Sequence, residues 1–254
     1  YDQLMIYDIK SDKLEKIDMN CHIGCNPAIL CTNNHIISKK VISGFVNGLE
    51  IKHGLFIPSA IINMIELYSN NDNLHIIGGE NNNKHFYWNH KVRKFEVIHT
   101  FNEYEKGIRG QSLIHNHKMD EMYMIGGCNT NTIHYRDVWS FDIKTSVWNK
   151  NSNWKLPQVM CGFGSVLYDH RILIIFGGRT KFSHLCDQIY YLDVTSKSDS
   201  KWIQIEKVKC PFRGCCNALL VQNESILHLL PFGNYNHHTT INVYNLLPSE
   251  LLND

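Results

Sequence analysis

Cysteine and histidine residues near the start of the chain have types and spacing that could hold a metal ion. Cys21 and Cys25 flank His22, and Cys31 follows a few residues later. Thiolate and imidazole groups are the usual ligands of Zn²⁺, but structural zinc sites normally combine two ligand pairs, with two residues inside a cysteine pair. This segment has neither feature. We therefore predict no metal site here and no cofactor in the chain.

A second pair, His115 and His117, lies two residues apart on a predicted strand. Side chains at this spacing point to the same face of a strand, so both imidazoles could reach one metal ion. Met119 and Asp120 follow directly, and this composition is typical of a polar turn between two strands. We favour the turn over the metal-binding pair.

The motifs of common enzyme classes do not occur in the sequence. It contains no G-x-S-x-G nucleophile elbow, no phosphate-binding loop, no H-E-x-x-H pair and no Rossmann glycine pattern. The sequence therefore predicts a protein that is not an enzyme.

Composition indicates a globular protein without a strongly charged partner. Hydrophobic residues make up 43% and charged residues 19% of the 254 residues. Lys and Arg number 25 against 24 Asp and Glu, a balance that argues against nucleic acid or an anionic membrane as the main partner. No apolar run approaches the roughly 18 residues of a membrane span. The nine cysteines are odd in number and irregularly spaced, which favours reduced thiols and a cytoplasmic location.

The elements that would position any site repeat about every 50 residues. Three apolar runs end in a glycine pair, at residues 74–79 (LHIIGG), 122–127 (MYMIGG) and 172–178 (ILIIFGG), and a degenerate fourth ends in Gly233. A second signature has the same period: an aromatic or aliphatic residue and Asp or Asn lead through a turn to a large apolar residue. Its copies start at residues 7, 88, 141, 192 and 244. Two signatures with one period indicate a repeat protein.

Each repeat is predicted to form four short strands and no helix. In the clearest unit these strands cover residues 111–117, 122–125, 137–143 and 147–151. A continuously apolar strand is buried on both faces, and a glycine pair ends it where a side chain would clash or φ must be positive. Such sheets bury both faces only by stacking in a ring.

These motifs resemble those of the kelch family. The residues that carry the resemblance and would support the blades are Gly78, Gly79, Gly126, Gly127, Trp139, Trp148, Gly177, Gly178, Tyr190, Tyr191, Trp202 and Gly233. The resemblance implies an all-β propeller as a single domain over residues 1–254, with clear repeats at about 58–210 and degenerate repeats at 1–57 and 211–247. Counting the third-strand signatures gives six blades, whereas counting the strands that end in glycine gives five. We favour six. The N-terminal blade is expected to be incomplete in this chain, with residues 4–17 supplying two strands. They would join the C-terminal blade if nothing is missing, whereas upstream residues would complete their blade if the parent chain is longer.

One face of such a propeller should display the variable loops. Connections between the second and third strands (residues 80–85, 128–136, 179–187 and 234–240) and between blades (102–109, 153–161 and 208–213) emerge together there. Arginine suits carboxylates and aromatic residues anchor interfaces. The candidate binding residues are Arg109, His134, Arg136, Trp154, Arg179, His184, Arg213 and Tyr235.

We therefore predict a protein-interaction module that binds a protein or an acidic peptide, as the recognition part of a larger adaptor or cytoskeletal protein. In the opposing interpretation, the arginines cap turns or pair with Asp137, Asp187 and Glu103. The family resemblance also leaves open a kelch-fold enzyme, either similar to the copper radical oxidase or an isomerase or hydrolase. A structural propeller inside a permanent assembly is a third possibility.

Overall fold

The computed structural model describes part of the chain. The backbone is described over residues 3–8, 13–18, 29–32, 35–38, 41–42, 45–46, 49–51, 55–57, 66–70, 73–80, 82–89, 94–129, 133–180, 184–196, 200–206, 216–223, 226–233 and 244–246. Side-chain surroundings are described within residues 75–79, 82–87, 96–129, 133–180, 184–196 and 200–206.

The described residues form β-strands and two short 3-10 turns, η1 (Asn102–Tyr104) and η2 (Ser152–Trp154). The strands before residue 60 are β1 (Gln3–Asp8), β2 (Lys13–Asp18), β3 (Ile29–Thr32), β4 (His35–Ser38), β5 (Val41–Ile42), β6 (Phe45–Val46), β7 (Leu49–Ile51) and β8 (Leu55–Ile57). The next are β9 (Glu66–Asn70), β10 (Asn73–Ile77), β11 (Gly79–Glu80), β12 (Lys84–Asn89), β13 (Lys94–Thr100), β14 (Gly107–Ile108), β15 (Ser112–Asn116), β16 (Glu121–Ile125), β17 (Val138–Asp142) and β18 (Val147–Lys150). The last are β19 (Gly164–Tyr168), β20 (Ile172–Phe176), β21 (Ile189–Asp193), β22 (Ile203–Gln204), β23 (Cys216–Asn223), β24 (Ile226–Gly233) and β25 (Tyr244–Leu246).

Four antiparallel sheets follow one another along the chain. Blade A contains β9, β10, β12 and β13, blade B contains β15 to β18, blade C contains β19 to β22, and blade D contains β23 to β25. First strands of successive blades lie side by side, since β9 contacts β15, β15 contacts β19, and β19 contacts β23. Sheets arranged radially with their first strands innermost form a propeller, which confirms the predicted fold class.

Two strands that end in a glycine pair, β16 and β20, are buried along their whole length, as predicted. Every residue of β16 and β20 is buried, whereas β15 and β19 are mostly half-buried because they line the centre of the ring. In blades B and C the second strand is therefore the most completely buried strand, and the first strand faces the axis.

Alternate residues of β16 supply two different blade interfaces. Met122 and Met124 pack with Trp139 and Trp148 in the cluster between blades A and B. Tyr123 and Ile125 point the other way, into the cluster shared with blade C. This is the period of two that a strand imposes on its side chains, and it explains why residues 122–125 are all apolar.

Gly78 and Gly126, the first glycines of two pairs, lie where the next connection of the chain approaches closely. Gly126 has a φ of 57°, and a Cβ placed there would lie 2.8 Å from the carbonyl oxygen of Met160. Gly78 has a φ of 72° and would bring a Cβ within 2.6 Å of the Ile108 carbonyl oxygen. Both reasons anticipated from the sequence, positive φ and crowding, therefore apply at these positions.

Strands before blade A pair as hairpins among the described residues. β1 pairs with β2, β3 with β4, β5 with β6, and β7 with β8. β1 and β2 fall where the sequence predicts two strands, but the described pairings do not join them to blade D. The six-blade count and the closure of the ring therefore stay predictions.

No helix among the described residues has the length and apolar character needed to cross a membrane.

Candidate functional site

Backbone bridges tie the predicted loops together on one face of the propeller. Arg109 and Cys128 exchange two backbone hydrogen bonds of 2.8 Å, joining the connection between blades A and B to the loop that follows β16. Cys161 and Arg179 exchange the equivalent pair, at 2.9 and 2.8 Å, one blade further on. The two kinds of loop thus emerge on the same face, as the sequence predicts.

The two bridged pairs are equivalent positions of the repeat in which arginine and cysteine have changed places. Gly127 N–H donates to the Met160 carbonyl at 2.9 Å, and Gly162 N–H donates to the Gly110 carbonyl at 2.7 Å. These bonds on either side of Cys161 draw the second pair against the first. The exchange of residue types then sets the two cysteines close to each other and an arginine beside each of them.

His134 completes the group, which we name the loop-face cluster: Arg109, Cys128, His134, Cys161 and Arg179. A backbone bridge joins His134 to Cys128, and Tyr135 N–H donates to the Gly127 carbonyl at 2.8 Å. The ligand atoms of Cys128, His134 and Cys161 all lie within 4.8 Å of one another.

The electrostatics of the loop-face cluster favour a thiolate. A hydrogen bond from Cys161 and the positive charges of Arg109 and Arg179 lower the pKa of Cys128 to about 7, although burial acts in the opposite direction. A thiol with this pKa is substantially ionised at neutral pH and is a better nucleophile and metal ligand than an ordinary cysteine.

Comparison with known proteins agrees with this architecture. The profile of the KLHDC2/KLHL20/DRC7 Kelch-repeats domain matches residues 65–250, most of the chain. The chain belongs to the kelch-repeat family. An F-box/kelch-repeat protein of Arabidopsis thaliana is 27% identical over 89 residues, which cover 34% of this chain and 19% of that protein. The match thus spans about a fifth of the relative's length. Kelch-repeat domains generally bind protein partners.

The kelch loops bring together three of the residues predicted to bind. Arg109, His134 and Arg179 all belong to the loop-face cluster. Arg136 is exposed nearby on the chain, and its Nε donates to the carbonyl of Leu156 at 2.6 Å. His184 is exposed in the corresponding loop of blade C. Arg213 and Tyr235 lie outside the described residues.

The assignment of Trp154 to the binding surface is wrong. Its side chain is only 1% exposed and packs edge-on against Tyr123, with ring centroids 5.9 Å apart. Its carbonyl accepts a hydrogen bond from Trp202 Nε1 at 2.8 Å. The 3-10 turn η2 directs this ring inward, so Trp154 fills the interface between blades B and C.

Two acidic residues proposed as partners of the arginines contact a lysine instead. Lys150 Nζ lies 3.1 Å from Asp137 and 3.8 Å from Glu103. Asp137 also accepts a hydrogen bond from the hydroxyl of Tyr104 at 3.1 Å. These two carboxylates therefore serve the interface between blades A and B.

The structure supports the turn interpretation of the His115 and His117 pair. Residues 117–120 form the turn between β15 and β16, in which Met119 N–H donates to the Asn116 carbonyl at 3.2 Å. The two imidazole rings do touch, with centroids 3.8 Å apart. Burial, with the charge of His117, lowers the pKa of His115 to about 4. The three-residue ligand group found in the described part of the chain lies elsewhere, in the loop-face cluster.

The sequence analysis missed Cys128 and Cys161. Both were covered by the general expectation of reduced thiols, and the metal hypothesis concerned the N-terminal cysteines. Of these, Cys21 and Cys25 lie outside the described residues, and Cys31 lies in β3. One signal was present: Cys128 directly follows a glycine pair, as Arg179 does in the next repeat. Aligning the repeats residue by residue would have shown the exchanged arginine and cysteine.

Proposed function

We propose that this kelch domain holds a protein partner against its loop face, and that the segment it binds is acidic. The observation that supports this most directly is the pair Arg109 and Arg179, which backbone bridges hold on the same face of neighbouring blades. These bonds fix the backbone from which the two side chains extend, and the planar guanidinium group of each can bind a carboxylate through two parallel hydrogen bonds.

The charge around this pair supports an acidic ligand. Arg136 is exposed on the same connection that carries His134. The carboxylates of Asp137 and Glu103 already contact Lys150, so their negative charge is partly neutralised and repels an acidic ligand less. A face with fixed positive groups attracts acidic segments and disfavours basic ones. The rigid strands beneath it keep the loops in place.

We also propose that the domain is the recognition part of a larger intracellular adaptor. The Arabidopsis relative combines kelch repeats with an F-box in a protein far longer than the matched segment. Cys128, Cys161 and Cys186, whose side-chain surroundings the structure describes, form no disulfide bond with one another, which supports an intracellular location.

A charge-reversal experiment tests the binding face. After affinity capture has identified a partner, its dissociation constant is measured against the wild-type chain, Arg109→Glu/Arg179→Glu, and Lys118→Glu. Lys118 is exposed in the turn between β15 and β16, which emerges on the opposite face. We expect the double variant to bind at least roughly tenfold more weakly and Lys118→Glu to bind like wild type. Equal affinities for all three chains would refute this binding face.

A further inference from the structure

We propose that Cys128, His134 and Cys161 form a binding site for Zn²⁺ on the loop face. The site lies beside Arg109 and Arg179, the residues of the proposed function, but its test is separate, because zinc content is measured on this chain without a partner. It also departs from the sequence analysis, which predicts no metal.

The distances between the ligand atoms fit a single metal ion. Zn²⁺ binds thiolate sulfur at about 2.3 Å and imidazole nitrogen at about 2.0–2.1 Å, so tetrahedral ligand atoms lie roughly 3.4–3.8 Å apart. The three ligand atoms here lie within 4.8 Å of one another. Small side-chain rotations would bring the three ligand atoms from this limit to the tetrahedral separation of roughly 3.4–3.8 Å.

The backbone holds all three ligands before any metal arrives. Cys128 is fixed by its two hydrogen bonds to Arg109, and Cys161 by its two hydrogen bonds to Arg179. The short loop that returns the chain to His134 is closed twice: Asn129 N–H donates to the Ile133 carbonyl, and Ile133 N–H donates to Asn129 Oδ1, each at 2.9 Å. Ligands on such supports lose little entropy when they bind a metal.

The ligand types select the metal. Two sulfur ligands and one imidazole suit Zn²⁺ and other thiophilic ions, whereas Mg²⁺ and Ca²⁺ require oxygen ligands. Three protein ligands leave a fourth tetrahedral position for water or for a side chain of a bound partner.

The neighbouring arginines are compatible with this centre. Two thiolates neutralise the charge of Zn²⁺, so the bound centre carries no net charge to repel Arg109 and Arg179. Their N–H groups can then donate to the coordinated sulfurs, as outer-shell donors do in other metal sites. Arg109 and Arg179 compete with a metal ion for the two thiolates only before the ion is coordinated.

Metal binding is tested on the full 254-residue chain, reduced with a phosphine and compared with Cys128→Ser, Cys161→Ser and His134→Gln. His170→Asn is the matched control, because His170 is an exposed histidine in the turn between β19 and β20, on the opposite face, and Asn tolerates its φ of 55°. Zn²⁺ content is measured by mass spectrometry after passage over a chelating resin. Co²⁺ loading gives a second signal, since tetrahedral thiolate coordination produces intense visible bands and sulfur-to-metal charge transfer.

We expect about one Zn²⁺ per chain in the wild type and in His170→Asn, with tetrahedral Co²⁺ bands in both. Each ligand variant should lose affinity by at least roughly 10–100-fold. Zn²⁺ should also raise the melting temperature of the wild type but not of His134→Gln. Folded, reduced wild-type chain without Zn²⁺ would overturn the proposal, as would Co²⁺ spectra that are unchanged in all three ligand variants.

Discussion

The indole Nε1–H of Trp148 donates a hydrogen bond to Nδ1 of His85, 3.0 Å away across the interface between blades A and B. An indole nitrogen can only donate, so Nδ1 of His85 must accept and its proton must sit on Nε2. That Nε2 lies 2.9 Å from Nδ1 of His75 and donates to it. Trp148, His85 and His75 therefore form one directed hydrogen-bond chain, in which both imidazoles are neutral.

This chain predicts that the protein loses stability in mild acid. Burial lowers the pKa of His75 to about 4, and burial together with the charges of His75 and His99 lowers the pKa of His85 well below its usual value. Unfolded histidine has a pKa near 6.5, so below about pH 6.5 the unfolded state binds more protons than the folded state. The free energy of unfolding should fall as the pH drops from about 6.5 towards 4, by an amount on the order of 2 kcal/mol for His75 at pH 4.5.

Urea denaturation at several pH values between 7.5 and 4.5 measures this slope. His75→Gln keeps an acceptor for His85 but removes one titrating imidazole, so it should be less stable than the wild type at neutral pH and show a flatter dependence on pH. An identical slope in wild type and variant would show that other groups cause the acid sensitivity.

Replacing Trp148 with Phe should destabilise the interface between blades A and B. The variant keeps an aromatic ring but leaves Nδ1 of His85 without its donor in a site that is closed to water. An unsatisfied buried acceptor costs about 1–3 kcal/mol. Trp202→Phe is the control, because Trp202 Nε1 donates to the Trp154 carbonyl from a half-buried ring that water can reach. Denaturant unfolding should show the larger loss for Trp148→Phe, and equal losses would contradict the argument.

The hydroxyl of Tyr104 makes a separate contribution to the same interface. It accepts from Trp139 Nε1 at 2.9 Å and donates to Asp137 at 3.1 Å, and burial with the nearby Asp137 charge raises the pKa of this phenol far above its usual value. Tyr104→Phe leaves the indole N–H and one carboxylate oxygen without this partner. We expect a loss of about 1–3 kcal/mol in the free energy of unfolding.

The control for Tyr104→Phe is Tyr191→Phe. Tyr191 is also buried, but its hydroxyl has no hydrogen bond within the described residues, and burial is the cause of its raised pKa. Tyr191→Phe should therefore change the free energy of unfolding by much less than Tyr104→Phe does. Similar effects in both variants would mean that the Trp139 and Asp137 contacts contribute nothing measurable.

Local pattern was enough to predict the strands and the glycine positions. The predicted segment 137–143 contains β17 (Val138–Asp142), and 147–151 contains β18 (Val147–Lys150), because alternation and turn residues act within a few positions. Trp139 and Trp148 are buried between blades as expected from the recurring aromatic positions. These features depend on neighbours in sequence, which a single chain displays directly.

The site depended on contacts that local pattern does not encode. His85 was assigned to a loop, yet it lies in β12, fully buried, because the short turn after Gly79 starts the third strand early. Trp154 was assigned to the surface, although η2 turns it inward. Backbone hydrogen bonds between repeats bring Cys128 and Cys161 together, so their proximity follows from the register of neighbouring blades.

Gly126 offers the sharpest test of how closely the blades pack. Alanine at this position would keep a φ of 57° that L-residues adopt at a cost of about 1–2 kcal/mol, and its Cβ would also lie 2.8 Å from the Met160 carbonyl oxygen and 2.9 Å from Leu156 Cδ1. Gly110 has a similar φ of 61°, but a Cβ there would meet its nearest atom, the Gly162 nitrogen, at 3.1 Å. Both variants therefore carry the backbone strain, and only Gly126→Ala carries the severe clash. Thermal unfolding should show a clearly lower melting temperature for Gly126→Ala than for Gly110→Ala, whereas equal values would mean that positive φ alone explains the glycine pair.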